Sequence, residues 1–163
     1  MPPGDPPFVL PEQPFGIVSL HRFELINSRR QLTETLTLLA EAAKRTPLFF
    51  VSHSVTIPPI ERFGLGRLFD AERFVRVPRL RFFDFLRLER RSSFVVTDSG
   101  GSQEECYYLD IPCLVHRVRT ERREGLARMS SCRRCGWRCS RTFSATPRGS
   151  VAGVSFRLPP RPT

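Results

Sequence analysis

The chain has 163 residues, 40% of them hydrophobic, which suits one domain of roughly 100–150 residues with a genuine core. No apolar run approaches the roughly 18–20 residues of a membrane span. The opening Met1-Pro2-Pro3-Gly4-Asp5-Pro6-Pro7 lacks the basic-then-apolar order of a signal peptide, so a cytoplasmic protein without membrane contact is expected. The formal net charge of +10 invites a nucleic-acid reading, yet all 16 acidic residues lie within residues 1–125, and residues 126–163 hold 8 Arg and no acid. The excess therefore belongs to the tail. No aromatic ladder or reading helix accompanies it, so a specific nucleic-acid partner is disfavoured.

Residues 1–15 carry six prolines and read as an extended leader without a core of its own. From Gly16 the pattern changes. Gly16-Ile17-Val18-Ser19-Leu20 is a short apolar strand, followed at once by His21-Arg22-Phe23-Glu24. Ser28 with Gln31 forms a capping-box pair, and Leu32, Leu36, Leu39, Ala40 and Ala43 recur at helical spacing. Leu48-Phe49-Phe50-Val51 is the next strand, ending at Ser52-His53, and a helix from Ile57 to Phe63 stops at Gly64. Phe74–Val77 reads as the third strand and Phe82–Glu89 as a helix. Phe94–Thr97 is the fourth strand, and it runs into Asp98-Ser99-Gly100-Gly101. A helix over Ser102–Leu109 and a fifth strand over Cys113–Val115 complete the series.

Strands alternating with helices predict an α/β fold, a Rossmann-like parallel sheet with helices on both faces. Ligands of such sheets bind beyond the carboxyl ends of the strands, at helix N-termini. Two readings stand for Ser99-Gly100-Gly101-Ser102-Gln103-Glu104-Glu105. The glycines let backbone amides approach a phosphate, or the segment is a tight turn in which Ser102 and Glu105 form a capping box. His21 and Arg22, following the first strand, would face the same edge and suit a diphosphate, and His53 makes a similar offer. The cysteines at 106, 113, 132, 135 and 139 are odd in number. Cys132-x-x-Cys135-x-x-x-Cys139 lacks a fourth ligand, so no metal site is expected.

In chain order, Leu20-His21-Arg22-x-Glu24, Val51-x-His53, Thr97-Asp98-Ser99-Gly100-Gly101-x-Gln103-Glu104-Glu105, Pro112-x-Leu114-Val115 and Thr120-Glu121-Arg122-x-Glu124-Gly125 resemble the C-terminal half of non-hydrolysing UDP-N-acetylglucosamine 2-epimerases. The resemblance covers residues 16–125. It implies one half of a two-domain GT-B fold, with UDP or a UDP-N-acetylhexosamine as ligand, no cofactor, and a homodimer as the family assembly. That family interconverts UDP-N-acetylglucosamine and UDP-N-acetylmannosamine by eliminating and re-adding UDP. By position His21 resembles its active-site histidine, while Arg22, Ser99, Gly100 and Gly101 look like diphosphate contacts. Glu105 looks like the acid on the ribose hydroxyls and Phe85 like the aromatic near uracil. Glu24, His53, Glu121 and Arg122 would form the edge of the active site.

The carboxylates that the family draws from its N-terminal half have no counterpart here, so the chain alone is expected to be inactive, a fragment of a longer gene in which Met1 is an internal start. Residues 126–163, rich in Arg, Ser, Pro and Cys, are expected to have no fold and to be translated out of frame from about Leu126. A GT-B glycosyltransferase half, a non-catalytic UDP-binding module and an inert truncated product stand as alternatives.

Overall fold

A computed structural model describes residues 10–116 in full and the backbone of two short strands beyond them. The strands are β1 (Gly16–Ser19), β2 (Leu48–Val51), β3 (Phe74–Val77), β4 (Phe94–Thr97) and β5 (Cys113–His116), with β6 (Met129–Cys132) and β7 (Trp137–Ser140) after them. The helices are α1 (Phe23–Ile26), α2 (Arg29–Ala43), α3 (Ile57–Arg62), α4 (Phe82–Arg91) and α5 (Gly100–Tyr108). Strands β1 to β5 pair in parallel in the order β3-β2-β1-β4-β5. The expected α/β architecture is what the chain adopts.

Each of β1, β2 and β4 is buried along its whole length, because side chains of a strand alternate between faces and both faces are covered. Val18, Phe50 and Val96 point to one side with Leu32, Leu36 and Leu39 of α2 and Ile60 of α3. Ile17, Phe49 and Val95 point to the other side, with Leu88 of α4 and Cys106 of α5. Glycine at 16 permits the strands to close up: a Cβ there would lie 2.5 Å from the Phe94 ring and 2.8 Å from Leu48.

Helix α2 starts where the sequence indicates, with the Ser28 hydroxyl accepting from the Gln31 amide. Ser28's own amide donates to the Leu25 carbonyl, since the unforeseen short helix α1 arrives directly before it. Gly64 takes the left-handed conformation at φ +67° and ends α3. Helix α5 begins two residues earlier than expected. Ser99 is its N-cap and Ser102 lies buried in its first turn, so the capping box between Ser102 and Glu105 is not formed.

Strands β6 and β7 extend the sheet past β5, β7 running antiparallel to both its neighbours. They fall within residues 126–163, the stretch expected to lack structure. An edge strand such as β5 leaves a row of backbone donors and acceptors open to pairing, which depends little on side-chain pattern. The remainder of residues 126–163, like Glu121 and Arg122, lies outside the described residues. Among the described residues no helix is long and apolar enough to cross a membrane.

Candidate functional site

The strand order reverses direction between β1 and β4. From β1 the chain winds outward through β2 to β3, whereas β4 and β5 lie on the other side. At such a switch point the loops leaving two adjacent parallel strands part in opposite directions and open a crevice at the carboxyl edge. His21 and Arg22 follow β1, His53 follows β2, and Ser99 with Gly100 and Gly101 follows β4. Topology alone thus brings these residues to one edge.

Helix α5 spans nine residues and starts at Gly100. In its first turn the amides of Gly100, Gly101 and Ser102 have no helical acceptor, and the helix dipole adds partial positive charge there. The amide of Ser99 is already satisfied by the Thr97 hydroxyl at 3.0 Å. Among the described residues, a Cβ on Gly101 would meet only the Ser99 Oγ at 3.7 Å. The glycine is therefore not needed for backbone geometry; it leaves an open face over the amides.

The two histidines meet. Their ring centroids lie 4.3 Å apart with planes tilted by 36°, and the Ser19 hydroxyl sits 3.0 Å from His53 Nε2. Burial, then the neighbouring His21 and Arg79, push the His53 imidazole down to about 4, so it is neutral across physiological pH. Asp98 lies next to His21, 1% exposed. Its carboxylate accepts from the His21 amide at 2.9 Å and the Arg22 amide at 2.8 Å. Burial raises the Asp98 carboxyl, and the two amides and the charges of His21 and Arg22 oppose that rise.

The other expected residues spread along the same α5–α4 side or outward. Glu105 is half-buried on α5, its carboxyl raised by burial and by the charge of Glu104. Phe85 lies in the first half of α4, half-buried, and packs against the cluster beneath α4 and α5. Glu24 is exposed on α1. Sequence reading did not single out Asp98, Ser19 or Arg79. Asp98 stands inside a quoted motif, but its partners are 77 and 76 residues away, and no local pattern announces such a link.

The family model for UDP-N-acetylglucosamine 2-epimerase matches residues 5–145. The chain belongs to this family. The match runs past Gly125, where the quoted motifs end. Among curated relatives, the UDP-N-acetylglucosamine 2-epimerase of Methanococcus maripaludis is 30% identical over 115 residues, 69% of this chain and 31% of the relative. The Campylobacter jejuni UDP-N-acetylglucosamine 2-epimerase is 47% identical over 113 residues, 69% of this chain and 29% of that protein. Among solved structures, UDP-GlcNAc 2-epimerase from Methanocaldococcus jannaschii superimposes with a TM-score of 0.69 at 26% identity, covering 74% of this chain and 34% of that one. The same enzyme in complex with UDP-GlcNAc and UDP gives 0.66 at 27% identity, covering 69% of this chain and 32% of that one. The chain therefore spans about a third of the length of the relatives it matches.

Proposed function

We propose that the carboxyl edge at β1 and β4 binds the diphosphate of a UDP-N-acetylhexosamine and forms one wall of a 2-epimerase active site. The observation that carries the reading is convergence at the switch point: the α5 amides and the His21–Arg22 pair approach one crevice from two neighbouring strands. The α5 N-terminus takes the phosphate oxygens by backbone donation and Arg22 adds a forked cation. Glu105, further along α5, accepts from the ribose hydroxyls, and Phe85 on α4 lies on the uracil side.

Epimerisation at the carbon beside the anomeric centre requires a proton to leave one face and return on the other. That chemistry needs acid–base groups on both sides of the sugar. His21 belongs to the wall described here, and the opposing groups come from outside the described residues. Exposed Phe23, Val55, Phe82 and Phe83 follow β1, β2 and β3 on this same rim, an apolar margin suited to an opposing protein surface. A single wall leaves one side of the ligand in water, so the affinity for UDP is weak.

Isothermal titration of UDP into the full chain tests the reading. Saturable binding is expected, weakened about tenfold or more by His21→Ala and by Glu105→Ala, as for loss of a hydrogen bond to a charged group. Binding that neither substitution alters would place the nucleotide elsewhere, and absence of saturable binding would leave no UDP site in this chain.

A further inference from the structure

His21 Nδ1 is shut off from solvent and makes no hydrogen bond among the described residues, although the ring is partly exposed. The polar group facing it is Asp98 Oδ1, 3.5 Å away, on a carboxylate whose oxygens already hold the amides of His21 and Arg22. We propose that Asp98 is a positioning residue of this site, fixing both the β1–α1 turn and the Nδ1–H tautomer of His21, so that Nε2 presents its lone pair as the acceptor.

An ionised carboxylate offers acceptors only. With the proton on Nδ1, the imidazole donates towards Oδ1, and a modest closing of the 3.5 Å gap completes the bond; such contacts tighten when ligand binds. With the proton on Nε2, a buried lone pair on Nδ1 would face the carboxylate oxygen, and both would be desolvated without a donor between them. The orienting partner of a histidine decides which nitrogen carries the proton. Asp98 directly precedes Ser99, the N-cap of α5. One buried side chain therefore ties the phosphate-binding turn after β4 to the histidine after β1, and the base and the cradle move as one unit.

His53 is the second group packed on the ring, at 4.3 Å. Its Nε2 is engaged with the Ser19 hydroxyl at 3.0 Å, so it does not compete for the Asp98 carboxylate. Arg22 contributes its amide to Asp98 at 2.8 Å, and that bond, with the charges of His21 and Arg22, opposes the rise that burial imposes on the carboxyl.

The proposal deepens the reading of His21 as an active-site group, and its test needs no ligand. Long-range proton–nitrogen spectra of the full chain with nitrogen-15 histidine, with His21 assigned through His21→Gln, report which ring nitrogen is protonated at mildly alkaline pH. In the unsubstituted protein, His21 should carry its proton on Nδ1. In Asp98→Asn the side-chain oxygen can keep both backbone amides while its NH₂ faces Nδ1, and the proton should move to Nε2. His53 and His116 serve as internal references whose patterns should not change. If His21 is the Nε2–H form in the unsubstituted protein, or if it is Nδ1–H and stays so in folded Asp98→Asn, the assignment of Asp98 fails. The first of these outcomes can be read even if the variant does not fold. UDP titration of the same samples reports separately on the nucleotide-binding reading.

Discussion

Replacing Glu89 by methionine should stabilise the protein at neutral pH and remove one steep component of its pH dependence. Glu89 lies on the face of α4 turned to the sheet, fully buried, and neither carboxyl oxygen has a hydrogen-bond partner among the described residues. Burial, and then the charge of Glu105, push its carboxyl from the ordinary 4.5 up to about 8. Cys106, also nearby, stays a neutral thiol: its hydrogen bond to Cys113 and its burial hold it well above the usual range. The folded state therefore binds the Glu89 proton more tightly than the unfolded chain does. Its contribution is fully present below about 4.5 and is lost as pH rises towards about 8.

Each pH unit inside that window removes about 1.4 kcal/mol, so the loss between about pH 5 and pH 7 is about 2.5 kcal/mol. For a chain of this size that corresponds to about 5–10 °C in Tm. Methionine has similar reach, suits a helix and buries no polar atom. Urea denaturation at a series of pH values should show the unsubstituted protein losing stability relative to Glu89→Met by that amount across the interval. Glu105→Gln should give a smaller change of the same sign, because it removes only the like charge. Parallel stability profiles for the unsubstituted protein and Glu89→Met would refute the account of Glu89 as a buried, protonated carboxyl.

Three further outcomes follow from the packing and the site. Gly16→Ala forces a Cβ against Phe94 and Leu48 and should cost about 1–3 kcal/mol by denaturation. Ser28→Ala removes the acceptor that caps α2 at the Gln31 amide, 3.3 Å away, and should cost about 1 kcal/mol in the same measurement. The His53 imidazole, held down to about 4, should stay mostly neutral by NMR on acidification to about pH 5. Its depressed value means that stability is lost as pH falls from 6.5 through about 4, and a titration near the ordinary 6.5 would contradict the burial described for this ring.

The sheet was legible because each of its central strands is a short apolar run with a turn or helix signal on either side. Leu48–Val51 and Phe94–Thr97 are buried on both faces, and burial on both faces is what a continuous hydrophobic run encodes. The start of α5 departs from the sequence pattern for a definite reason. Two glycines have poor helix propensity, so the pattern suggests a turn up to Ser102, whereas the strand end and the packing of Cys106 draw the first turn back to Ser99. Helix α1 leaves no mark in the sequence because four residues carry no periodicity, and the amides just before it find their acceptor in Asp98, far along the chain. Strands β6 and β7 were invisible because edge pairing is made by the backbone.

The site divides along the same line. Residues that lie next to a strand end could be assigned to the carboxyl edge from sequence, since a parallel sheet places every such end on one side. His21, His53 and Ser99 were located in this way. What makes them a unit is the strand order, β1 beside β4 and β2 beside β1, and order is set by contacts between distant segments. Asp98 depends wholly on that order: had β4 paired elsewhere, its carboxylate would be a buried charge with no donors, a state that burial alone would force to neutrality. The amides that Asp98 accepts and the neighbouring of β1 and β4 therefore go together, and the same pairing that completes the core also aims the histidine.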